Sequence, residues 1–271
     1  MKKVIQAGSL AILIFLFNLS CTDNQHSMTS HDKTSSHTMK GDCSQVHWSH
    51  HSGPEGPENW KNLCDGFAAC GGKRQSPIDI ATVKVEKDNR LRAPEFHYGQ
   101  TPVEIINNGH TVQFNVTKGQ YVKLNGKDYE LLQFHYHAPS EHTVDGRHYP
   151  LEVHFVHKHA DDDLAVLGIF FKEGKENPFL ARFLDKFPPE NGKYISDEKI
   201  DLMQLLPDDK SYYYYEGSLT TPPCTEIVRW YVLKQPLEAS KEQIEKFSEI
   251  LNNNYRPVQP LNGRKIKLYE K

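Results

Sequence analysis

From Gln75 to the C-terminus, short apolar runs alternate with turn residues. Runs of strand length cover Val103–Ile106, Thr111–Val116, Tyr121–Leu124, Tyr129–His137, Leu151–His157, Leu164–Phe171, Ser211–Glu216 and Ile227–Leu233. Asn107-Asn108-Gly109, Asn125-Gly126 and Asp145-Gly146 supply turn chemistry between them. The run Leu164–Phe171 is apolar throughout, Gly168 included, and predicts a central strand covered on both faces. Helical segments are few: Asn177–Lys186, Asp201–Leu205 and Ser240–Asn252, the last opened by Ser240 as N-cap with Gln243 three residues on. The pattern predicts a mostly β (α+β), sheet-dominated single domain without internal repeats.

Two of these runs carry chemistry. In Gln133-Phe134-His135-Tyr136-His137 the strand period of two puts His135 and His137 on one face and Phe134 and Tyr136 on the other. In Glu152-Val153-His154-Phe155-Val156 a third histidine follows, and the intervening Asp145-Gly146 turn predicts that this strand folds back antiparallel beside the first. The three imidazoles then converge as a ligand set for Zn²⁺. A tetrahedral ion with three protein ligands keeps a position for water, as catalytic sites do. Gln133 and Glu152 each lie two residues before a histidine, on its face, where they can accept the ring N–H that the metal leaves free.

The N-terminus changes the setting. Met1-Lys2-Lys3 followed by the apolar run Val4–Phe17 reads as an export signal over residues 1–20, too short and interrupted for a membrane span. Cys21 follows Leu19-Ser20 where a lipoprotein signal places its acylated cysteine, which predicts membrane attachment through Cys21 despite Asn18 at a usually aliphatic position. Residues 21–42 are a polar tether, its His26, His31 and His37 without an assigned role, and residues 43–271 form the catalytic domain. The other cysteines, Cys43, Cys64, Cys70 and Cys224, are expected to form disulfides in an oxidising compartment, and they allow three connectivities. The net charge of −3 and pI near 6.6 give no basic surface for nucleic acid.

Taken together these segments resemble the α-class carbonic anhydrases, in particular their secreted bacterial branch. The resemblance is carried by Gln133–His137 with Ser140-Glu141-His142-Thr143, by Glu152–His157, and by Ser218-Leu219-Thr220-Thr221-Pro222-Pro223. Gln75-Ser76-Pro77-Ile78-Asp79-Ile80, Asn107-Asn108-Gly109-His110 and Asn254-Tyr255-Arg256-Pro257 extend it, and it runs in order from about His47 to the end. It implies a large, mainly antiparallel central sheet with a few short peripheral helices and zinc at the base of a conical cleft. It implies reversible hydration of CO₂ to bicarbonate and a proton, by attack of zinc-bound hydroxide.

Position by position, the resemblance makes His135, His137 and His154 the zinc ligands, supported by Gln133, Glu152 and the Asn254 carbonyl. Thr220 orients the hydroxide and passes its hydrogen to Glu141; His110 is the proton shuttle; Val156, Val166, Leu219, Thr221 and Trp230 form the substrate wall. It pairs Cys70 with Cys224, leaving Cys43 and Cys64 as the second bridge. One departure stands out: in His47-Trp48-Ser49-His50, His50 occupies a tyrosine position, and it and His51 are expected to face solvent, an added relay being the alternative.

Two rivals are weighed. A cupin shares His-x-His followed by Glu, but its second motif is missing around His154. A non-catalytic zinc-binding or adhesion module of the same fold would need an altered ligand or a lost Thr220. The expected partner is the small-molecule substrate, the location the periplasm or cell envelope, and a homodimer is among the assemblies open to the chain.

Overall fold

The computed structural model describes residues 42–271; the expected export signal, Cys21 and nearly all of the expected tether lie outside the described residues. The strands that position the site are β1 (Gln100–Asn107), β2 (Val112–Val116), β3 (Tyr121–Leu124), β4 (Lys127–His137), β5 (Leu151–Ala160), β6 (Asp163–Glu173), β7 (Lys193–Asp201), β8 (Tyr212–Gly217), β9 (Val228–Leu233) and β10 (Lys267–Tyr269). They belong to one 13-stranded sheet in the order β7-β1-β2-β4-β5-β6-β9-β8-β10, ending on Glu86–Lys87, with β3 attached to β4. Most neighbours are antiparallel, and β6 runs parallel to β9.

Each apolar run became a strand, and β6 is central and buried from Ala165 to Phe171 as its continuous apolarity required. One face packs a core of Phe114, Phe134, Tyr136, Phe155 and Phe171 beneath the helix Lys241–Leu251. That helix opens with the capping box expected at Ser240 and Gln243.

Three details differ from the sequence reading. The Asp145-Gly146 turn, with both residues at positive φ, closes its own small hairpin between Thr143–Val144 and Arg147–His148 rather than joining β4 directly to β5. The 15-residue distance between His137 and Glu152 leaves room for that excursion, and β4 and β5 still pair antiparallel. The segment Asn177–Lys186 splits into Pro178–Ala181, capped by the Asn177 side chain, and a 3₁₀ turn at Leu184–Lys186. Strand β7 was not anticipated. It is an edge strand whose register shifts between Ser196 and Ile200 and whose Ile195 is exposed, so it shows no clean alternation.

Among the described residues, the segment before Gln75 contributes no long strand. It holds the helix α1 (Trp60–Leu63) and a 3₁₀ turn over Asp65–Gly71. Two disulfides fasten it: Cys43–Cys64 within it, and Cys70–Cys224 to the loop that follows β8. No helix among the described residues is long and apolar enough to cross a membrane.

Candidate metal centre

Register assembles the site. His154 on β5 pairs directly with His135 on β4, and Glu152 pairs with His137, so the face carrying His135 and His137 also carries His154. The candidate ligand atoms of the three histidines lie within 4.8 Å of one another. The next row on that face runs across three strands, Val156 opposite Val166 and Val166 opposite Trp230. Leu219 packs against this row, and the Trp230 ring stands edge-on 4.8 Å from that of His154. An imidazole cluster and an apolar strip are thus adjacent, with Thr220 buried on the neighbouring loop.

Each imidazole turns one nitrogen toward an acceptor of the protein, in hydrogen-bonding geometry for His135 and His137 and at ion-pair distance for His154. His135 Nδ1 lies 2.9 Å from Gln133 Oε1, and His137 Nδ1 is 2.7 Å from the Asn254 carbonyl. His154 Nε2 stands 2.9 Å from Glu152 Oε1. As the carbonyl and carboxylate oxygens can only accept, the ring N–H groups are committed outward, leaving Nε2, Nε2 and Nδ1 with lone pairs toward a common point. His137 Nε2 is buried without a hydrogen-bond partner, a costly arrangement unless something electrophilic takes the lone pair. Burial, followed by mutual repulsion with His137 and His154, holds His135 well below the ordinary imidazole range. Burial also lowers His137 to about 4 and depresses His154. Three neutral nitrogen donors in tetrahedral reach are the donor set zinc prefers.

Supporting contacts extend further than the sequence revealed. Glu152 Oε2 accepts from the backbone N–H groups of Glu141 and His142, and its Oε1 lies 2.8 Å from His142 Nδ1. His142 Nε2 meets the Tyr215 hydroxyl at 2.7 Å, and that hydroxyl donates to Ser76 Oγ, which accepts from Ser218 N. Burial alone would raise the Glu152 carboxyl, but His142 and His154 hold it well below the carboxylate range. With both nitrogens of His142 engaged, the His142–Glu152–His154 cluster is a hydrogen-bonded strut rather than a second metal site. His142 and Ser76 lay within recognised segments, yet nothing in their spacing gave them this role, and Tyr215 stood inside a run of four tyrosines.

Gly168 explains itself here. It pairs with His154, and a Cβ at that position would come within 2.7 Å of Glu152 Oε1. The glycine in an otherwise branched, apolar strand leaves the space the carboxylate occupies.

Glu141 Oε1 accepts from Arg256 N at 2.8 Å, while Oε2 lies 3.6 Å from His137 Nε2 and 3.8 Å from His154 Nδ1. Burial raises its pKa, opposed by His154, the Arg256 N–H and the Thr220 hydroxyl. The Arg256 guanidinium, not foreseen, donates to Gln75 Oε1, Ser76 O and Cys70 O, tying the C-terminal segment to the N-terminal one.

His110 sits half-buried at the edge of a cavity of about 280 Å³ that His50 and Asn254 also line. Asn254 spans the two regions: its carbonyl meets His137, and its Nδ2 donates to the carbonyls of His110 and Tyr136. Trp48 stacks on the His110 ring at 3.8 Å and 9°. His50 does not face solvent as expected. Its Nε2 is buried without a partner, and burial, then His137, His110 and His51, lowers it to about 3. His51 is exposed.

The comparisons agree with this geometry. The family model described as eukaryotic-type carbonic anhydrase matches residues 55–270. A carbonic anhydrase of Nostoc sp. is 46% identical over 226 residues, covering 82% of this chain and 85% of that one. A carbonic anhydrase of Pectobacterium atrosepticum is 44% identical over 225 residues, covering 82% and 90%. Among solved structures, the α-carbonic anhydrase of Thermovibrio ammonificans in complex with sulfanilamide superposes with a TM-score of 0.79 at 47% identity, covering 82% of this chain and 99% of that one. A sheet-borne trio of neutral imidazoles and the matched sequence, spanning nearly all the described residues, place this chain in the eukaryotic-type, or α, carbonic anhydrase family.

Proposed function

We propose that this chain is a zinc-dependent carbonic anhydrase that interconverts CO₂ with bicarbonate and a proton, with His135, His137 and His154 holding the metal. The observation that carries the assignment is the buried, unpartnered Nε2 of His137 within a three-histidine cluster in which each imidazole turns its opposite nitrogen toward an acceptor. Held by these three imidazoles, zinc would lower the pKa of water to about 7 and so supply hydroxide at neutral pH.

The surrounding residues direct that chemistry. Ionised Glu141 takes the single hydrogen of Thr220, so the Thr220 oxygen has only lone pairs left for the site. It must therefore accept a hydrogen from the nucleophile and orient it. Val156, Val166, Leu219 and Trp230 offer CO₂ an apolar rest beside that point, and Thr221 follows Thr220 on the same loop. Each hydration releases one proton. His110 collects it, since the unperturbed imidazole pKa of about 6.5 permits transfer in either direction near neutral pH. Burial, and after it His47, lowers His110, while Glu190 opposes them, which favours handing the proton on.

Both disulfides fit an oxidising compartment. We further propose that residues 1–20 direct export to the periplasm or cell envelope, that residues 21–42 are a tether carrying a lipid on Cys21, and that residues 43–271 act as the catalytic domain. The non-catalytic alternative finds no altered ligand and no lost Thr220 to support it. Stopped-flow CO₂ hydration with and without chelator, beside a metal count per chain, tests the assignment. About one zinc per chain and chelator-sensitive hydration are expected; a folded, metal-free protein that zinc cannot activate would refute it.

A further inference from the structure

The wall around His110 is built from chain that has almost no regular structure to hold it. Between residues 43 and 64 the backbone forms no sheet ladder, only short-range contacts such as Val46 N to Cys43 O and Ser49 N to Glu55 O. Its anchor is Trp60, fully buried, whose Nε1 donates to the carbonyls of Ser49 and Glu55. Trp48 stands edge-on against Trp60, with ring centres 5.3 Å apart, and stacks against His110. His50 lies edge-on to both Trp48 and His110, at 5.2 and 6.0 Å. A line of aromatic rings thus runs from α1 to His110, and Cys64, directly after α1, is bonded to Cys43, five residues before Trp48.

We propose that the Cys43–Cys64 disulfide positions the proton relay: by closing this segment on itself it keeps Trp48 on the face of His110 and thereby sets how fast the enzyme sheds its proton. The proposal rests on His110 being that relay. Without the bridge, Trp48 sits on a length of chain with no sheet ladder, retained by Val46, by the Ser49 contacts to Glu55 and Trp60, by the His47–Glu55 pair and by its ring contacts, and local opening becomes easier. A relay must present one nitrogen to the cavity and pass the proton outward. Stacking fixes the plane in which His110 can turn, and the electron-rich indole face favours the transient imidazolium against the cost of burial. The second disulfide divides the labour, since Cys70–Cys224 fastens the loop bearing Thr220 and Leu219. One bridge serves the hydration step and the other the proton exit.

The two steps separate kinetically. In the full chain, Cys43→Ser/Cys64→Ser is expected to lower kcat in dilute buffer by roughly tenfold, leave kcat/KM and zinc per chain unchanged, and regain most of kcat when imidazole is added. Trp48→Ala, which keeps the bridge, should show the same split and decides the matter if the cysteine variant does not fold. Unchanged kcat in these variants overturns the proposal. So does an equal fall in kcat and kcat/KM, which would make the segment a support of the metal site. His110→Ala is the companion measurement: if it shows no split, the relay reading fails and takes the proposal with it. If it shows a split that the cysteine and Trp48 variants lack, only the positioning role is lost.

Discussion

The floor of the site and its rim are built by opposite means. On the floor, His135, His137 and His154 are fixed by two adjacent ladders, β4 on β5 and β5 on β6, and every candidate ligand position follows from strand register. On the rim, Trp48, His50 and His110 come from coil and turn, held by ring packing, one disulfide and the Asn254 side chain. The difference matches the demands on each. Zinc tolerates little error in ligand placement, whereas a proton passed through water to bulk solvent needs exposure and some freedom.

The largest test lies on the floor. His137→Ala should reduce hydration to background and strip the metal while leaving the sheet folded, because it removes one of only three donors. Far-ultraviolet dichroism with a zinc assay reads both at once, and retained zinc would break the contrast between a register-fixed floor and an adaptable rim. A smaller floor effect is expected from Gly168→Ala. Its methyl group would displace Glu152 and free His154 to turn, weakening zinc affinity by roughly 10- to 100-fold. Competition with a chelator measures that directly, and unchanged affinity would show that Glu152 does not orient His154.

What the sequence disclosed divides along the same line. Period-two alternation announced β4 and β5, placed His135 and His137 on one face and put Gln133 beside His135, because within a strand orientation follows from residue count alone; His154 was brought to that face through a turn that closes a separate hairpin, and only the β4–β5 register puts it there. The row Val156–Val166–Trp230 crosses three strands and could be assigned only through the family resemblance, since pairing between distant strands is not written in any local run. His142 and Tyr215 were silent as a strut because each makes sense only once the fold brings Glu152 and Ser76 to it. His50 was misjudged for the reason the rim was opaque. In coil no periodicity says which way a side chain points, and its burial depends on Trp48 and Trp60, both placed by tertiary packing.

The smallest effect concerns acid. Each region holds a histidine lowered to about 3, His157 in β5, fully buried, and His50 on the rim. Burial is the leading cause for both, and His157 also lies 2.6 Å from the Tyr98 hydroxyl. A group lowered in the folded state stays neutral there while the unfolded chain takes up a proton below about 6.5. Stability therefore falls as the pH drops from that value toward 3 and is fully present above it. For His157 the proton can enter only when the sheet opens, so His157→Phe should flatten the acid limb by up to about 1.4 kcal/mol per pH unit. It also leaves the Tyr98 hydroxyl unpaired, which costs about 1–3 kcal/mol at every pH and does not alter the slope. For His50 the coil can open locally and admit the proton without global unfolding, so His50→Phe should flatten the limb much less. Urea unfolding of both variants across this range, in chelator so that zinc release does not enter, provides the two slopes. Equal flattening would mean that the rim is as tightly bound into the fold as the sheet, and that its proton path owes nothing to local freedom.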